Sequence, residues 1–154
     1  MKIWDISPTI TKDIAVFPGD VPFSRKVSLS FPEDHLALSS ITTTLHLGAH
    51  ADSSSHYHAE GLGVDQRPLE SYLGACQVVE VSLKRGARIL PQDISQAIEA
   101  PRVLFKTLSF PDPNAWNEDF NSLSPELIDW LAAQGVCTVG IDTPSVDPAD
   151  SKAL

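Results

Sequence analysis

The stretch LSPELIDWLAAQGVCTVGID, residues 123–142, sets the architecture of the chain. Ser124 is placed to cap a helix, its hydroxyl accepting from an orphan N–H of the first turn. Pro125 suits the first helical position, where the N–H it lacks would have no partner. Leu127, Ile128 and Leu131 fall on one face, and Gly135 stands just past the end, where a helix commonly turns left-handed. VCTVGID, 136–142, then reads as a strand. Upstream, RVLFKTL, 102–108, reads as a buried strand. Strand, helix over 125–134 and strand make a βαβ unit, hence a parallel pair with a right-handed crossover.

Outward from this unit the pattern changes. ACQVVEVSL, 75–83, reads as a further strand, and PQDISQAIEA, 91–100, as a short helix entered at Pro91. The first 45 residues read instead as short strands between turns: KIWDI, the turn FPGDVP at 17–22, the extended run SRKVSLSF, and the β-branched strand ITTTL at 41–45. GLGVDQRPL is loop-like. The fold class is therefore α/β with a mixed sheet, an antiparallel β-rich N-terminal half and a βαβ C-terminal half. Residues 1–154 are expected to form one domain.

Bulk properties exclude several roles. At 154 residues and 42% hydrophobic content the chain can bury a core. A formal charge of -9 leaves no basic stripe for phosphates, so no nucleic-acid partner is expected. No apolar run approaches the ~20 residues of a membrane span, and MKIWDISPTI lacks the apolar core of a signal peptide. A cytoplasmic location is expected, with no membrane partner. Cys76 and Cys137 lie in apolar strand-like runs and read as buried free thiols.

The chemistry is concentrated in HLGAHADSSSHYH, 46–58, which holds four of the chain's five histidines. On a straight strand His46 and His50 would stand roughly 13 Å apart at ~3.3 Å per residue. Two imidazoles on one zinc bring their nitrogens within ~3–4 Å. On a helix those histidines would meet, but Asp52 would point away. A strand breaking into a tight loop satisfies all three, and Gly48 supplies the backbone freedom. Two neutral imidazoles and a carboxylate leave a position open for water, whose pKa a divalent metal lowers towards ~7. His56 is then placed to move the proton. His58 reads as lying behind the ligands or facing solvent.

HLGAHADSSSH resembles the H-x-G-[TA]-H-x-D-x-P-x-H signature of the cyclase-like metal-dependent hydrolases, and within them the bacterial kynurenine formamidases. WDISPTI, FPGDVPFS at 17–24 and GIDTPSVDPADSKAL at the end agree with it. The resemblance implies a swivelling β/β/α fold, a homodimer, and zinc-dependent hydrolysis of N-formyl-L-kynurenine, a small molecule, to L-kynurenine and formate in tryptophan degradation. It assigns His46, His50 and Asp52 to the metal, with Asp52 bridging to a second ion, and His56 to proton transfer. Phe17 stands where a tryptophan usually contacts the substrate ring, keeping the stacking face without the indole N–H. Ser54 replaces a proline, at a cost in loop rigidity.

Such relatives continue several dozen residues past DPADSKAL and there supply a histidine and a glutamate to the second metal. No histidine follows His58 here. The domain is therefore expected to lack that C-terminal segment and to hold at most one of the family's two zincs. Two alternatives stand beside formamidase: another cyclase-type hydrolase of a cyclic amide or lactone, as in isatin hydrolysis, and an inactive metal-binding remnant.

Overall fold

The computed structural model describes residues 3–151. Lys2 of the KIWDI run and residues 152–154 of the closing motif lie outside the described residues. The chain divides into two compact units: one runs to Ala51 and includes Asp112–Trp116, and the other comprises Asp52–Pro111 and the chain from Asn117 onward.

In the first unit, β1 (Ser24–Leu29) pairs antiparallel with β2 (Leu38–Thr42), with Ser24 opposite Thr42 and Leu29 opposite Leu38. The predicted 41–45 strand thus begins earlier and stops at Thr42. Beyond it the Thr44 N–H donates to Val21 O at 3.0 Å, so the chain leaves the pairing before the histidines. The predicted turn is present: the Asp20 N–H donates to Phe17 O at 2.9 Å, and Gly19 takes φ +93°. That combination is a type II turn, which needs glycine at its third position. The predicted N-terminal strand is absent. Among the described residues, 3–10 pair with no strand, and Trp4 and Ile6 are exposed. Strand propensity records fit to a pleated, half-buried surface, and here no such surface is offered.

The second unit is the parallel one. β3 (Gln77–Glu80), β5 (Arg102–Lys106) and β7 (Thr138–Ile141) form a parallel sheet in the order β3–β5–β7. A two-residue parallel pair joins β4 (Arg88–Ile89) to β6 (Ser122–Leu123). Val79, Ile89, Val103, Phe105, Leu123, Leu127 and Leu131 build the core. In β5 only Val103 and Phe105 are buried, so the strand expected to be buried throughout shows period two instead.

Helix α1 (Pro125–Ala133) forms as its sequence requires. The Ser124 hydroxyl accepts from the Leu127 N–H at 3.1 Å, and Gly135 adopts φ +83°. Leu127 and Leu131 are 0% exposed, whereas Ile128 is 41% exposed. One residue on from Leu127 is about 100° around the helix, which carries Ile128 off the buried stripe.

Two further expectations are corrected. Residues 91–100 form only a short 3-10 turn, Pro91–Asp93. The side chain of Gln77, the first residue of β3, takes backbone groups a helix would need: Gln77 Nε2 donates to Ala97 O, and the Glu99 N–H donates to Gln77 Oε1, each at 2.8 Å. Cys76 and Cys137 are free, but both are exposed. Each lies one residue before its strand begins, outside the packed register. Among the described residues no helix is long and apolar enough to cross a membrane.

Candidate metal centre

The chain bends after β2, and Gly48 adopts φ +58°. A Cβ there would press Ile14 Cδ1 at 3.4 Å and Ile10 at 3.6 Å, so small size and left-handed backbone are both used. This bend is the break in the strand that the histidine spacing demands.

It brings the ligand types together. His46 Nδ1 and His50 Nε2 stand 3.1 Å apart, with their rings edge-on at 5.0 Å between centroids. His50 Nδ1 donates to Gly48 O at 2.9 Å, which fixes its proton there and leaves a lone pair on Nε2. Within seven consecutive residues, one ligand atom each from His46, His50 and Asp52 falls inside 4.8 Å of the others. The spacing and chemistry of this donor set fit a divalent metal: two imidazole lone pairs and one carboxylate. His46 is half-buried, while His50 and Asp52 are exposed, so ions and water have access.

The supports of these candidate ligands were not legible in the sequence. The Thr44 hydroxyl donates to Asp20 Oδ2 at 2.5 Å and accepts from the His46 N–H at 3.2 Å. The FPGD turn thereby holds the start of the histidine loop. The hydroxyl of Thr44, then the Val21 N–H, hold the Asp20 carboxyl below the usual carboxylate range. Tyr57 donates its phenol to Asp52 Oδ2 at 3.0 Å. Burial, then that bond, push the Tyr57 hydroxyl up to about 12, so it remains a donor at neutral pH.

His56 lies outside the three-ligand cluster and is exposed; its ring meets Tyr57 edge-on at 4.6 Å. His58 is exposed, with Nδ1 accepting from the Glu60 N–H at 3.2 Å. Phe17 is 47% exposed and packs edge-on against Trp116 at 5.3 Å, a partner 99 positions away that no local pattern announces.

Ser54, in place of the expected proline, ties the loop down. Its hydroxyl accepts from the Leu62 N–H at 3.0 Å and from Arg67 Nη2 at 2.5 Å, and the Ser55 N–H donates to Leu62 O at 3.2 Å. A Cβ on Gly61 would collide with the Ser54 backbone. Hydrogen bonds here replace the stiffness of a proline ring.

Comparison with known proteins agrees with this picture. The Cyclase family model, described as "Putative cyclase", matches residues 4–148. The kynurenine formamidase of Bordetella pertussis is 41% identical over 156 residues, covering 99% of this chain and 74% of its own length. That of Bordetella avium is 43% identical over 157 residues, with the same coverage. Among solved structures, a "Potential Metal-Dependent Hydrolase With Cyclase Activity" superposes with TM-score 0.77 at 23% identity, over 97% of this chain and 72% of that one. A "predicted metal-dependent hydrolase from Bacillus stearothermophilus" gives TM-score 0.76 at 23% identity, over 98% and 73%. These two likenesses are of fold.

Proposed function

The chain belongs to the cyclase family, and on that premise we propose that it is a metal-dependent formamidase hydrolysing N-formyl-L-kynurenine to L-kynurenine and formate. The observation that carries this reading is 41–43% identity over 99% of the chain with curated kynurenine formamidases. The convergence of His46, His50 and Asp52 supports it. Zinc is the ion the donor set suits best, and a pair of chains in the cytoplasm goes with the same reading.

His46, His50 and Asp52 would hold the ion. A divalent metal bound there supplies a Lewis acid and lowers the pKa of water towards about 7. The proton work belongs to His56, which takes a proton from the attacking water and returns it to the departing aniline nitrogen. Tyr57 orients Asp52 through its phenol. A formamide suits such a centre because its carbonyl carbon bears only hydrogen, so approach is open. Selection then falls on the aromatic half, for which Phe17, backed by Trp116, offers an apolar wall.

The test is turnover of N-formyl-L-kynurenine and of isatin by the metal-supplemented protein. Hydrolysis of the formamide at an enzymatic rate, with isatin slower, is the expected result. Isatin as the better substrate would move the chain to cyclic amides, and no turnover of either would remove the catalytic reading.

A further inference from the structure

Beside Asp52, within the second unit, lies a cavity of about 280 Å³ whose wall includes Asp52, Ser54, Arg67, Ser71, Tyr72 and Thr138. Among the described residues Arg67 is the only cation lining it. Its side chain is half-buried, and among the described residues its one hydrogen bond is from Nη2 to Ser54 Oγ. No described carboxylate pairs with it, although the chain carries 20 acidic residues and pairs Arg85 and Lys106 elsewhere. A guanidinium cannot shed its charge and carries five N–H donors in a planar fork. A half-buried one with a single neutral partner keeps most of that capacity for a ligand, and the natural match is a bidentate carboxylate.

We propose that Arg67 anchors the carboxylate of the substrate's amino-acid arm, which occupies this cavity while the formyl group lies at the adjoining ligand cluster. The cavity volume falls just under the ~300–1,000 Å³ of pockets that hold a whole drug-sized ligand, so it takes an arm of the substrate. Asp52 is shared between the cavity and the metal-ligand cluster, which joins arm and reacting group. The proposal rests on the formamidase reading and adds to it a determinant of specificity.

Its rival is that Arg67 merely braces the loop through Ser54. Steady-state kinetics on N-formyl-L-kynurenine and on formanilide, an aryl formamide with no carboxylate, separate the two. Arg67→Gln should raise KM for N-formyl-L-kynurenine about 10–100-fold, the worth of hydrogen bonds to a charged group. It should leave kcat near the parent value and formanilide kinetics unchanged. Arg67→Lys, which keeps the charge but loses the fork, should recover part of the affinity and serves alone if the glutamine variant does not fold. Equal losses on both substrates, or none on either, would overturn the proposal. Should the parent turn over neither formamide, the formamidase reading fails by itself, and calorimetric binding of L-kynurenine decides the anchor. Weaker binding by Arg67→Gln or Arg67→Lys than by the parent supports it; equal binding, or none by the parent, refutes it.

Discussion

The α1–β7 stretch and the histidine loop are built on opposite principles. In the first, Leu127 and Leu131 are fully buried against Val103 and Phe105, and apolar burial dictates the shape. In the second, none of residues 46–58 is buried, and the shape comes from short hydrogen bonds, the left-handed Gly48 and small side chains. The packed region can lose an exposed functional group without unfolding. The loop can lose its chemistry without the core registering it. Stability and activity should therefore separate along the chain.

The sharpest break of this contrast is at His56. His56→Ala should lower kcat on N-formyl-L-kynurenine by about 10²–10⁴-fold, the usual contribution of general acid–base catalysis. Its metal content and denaturation midpoint should stay at parent values, since the ring is exposed and outside the ligand cluster. Loss of metal along with activity would make His56 a ligand instead.

Leu127→Ala inverts the pattern. Deleting a fully buried leucine leaves a cavity and costs about 2–5 kcal/mol, read as a lower denaturant midpoint. The fraction that remains folded should bind metal normally. A smaller effect in the same direction is expected at Ser124→Ala, which removes the N-cap bond to Leu127 and costs about 1 kcal/mol.

The smallest effect concerns the tether beneath the loop. Because Thr44 and the Val21 N–H favour the ionised Asp20, its folded pKa lies below the ordinary 3.8. The stabilisation it lends is complete above 3.8 and is lost as pH falls through the folded value. A carboxyl titration by NMR should place Asp20 below 3.8, and Thr44→Val should return it upward by removing the first of those donors. No change in that variant would detach the turn from the histidine loop.

What could be read in advance follows the same division. Helix α1, with its cap, proline and terminal glycine, was legible because each signal is local, and so was the parallel pairing that its length and flanking strands imply. Ile128 was misplaced because its side lies just outside the buried stripe. Residues 91–100 misled because Gln77, remote in sequence, captures their backbone. In the loop, the convergence of His46, His50 and Asp52 was legible from residue type and spacing, as was the need for a bend at Gly48. The bonds from Thr44 to Asp20 and from Tyr57 to Asp52, and the lone guanidinium of Arg67, are contacts between side chains that no periodicity encodes.

The most direct measurement is chelation and metal add-back on the parent and on His50→Ala, followed by kynurenine release from N-formyl-L-kynurenine. The parent should lose turnover with the chelator and regain it when zinc or another divalent ion is restored. His50→Ala should regain nothing, because two remaining donors leave an open, weak site. Turnover that survives complete metal removal, or that returns equally in His50→Ala, would contradict a catalytic metal held by His46, His50 and Asp52.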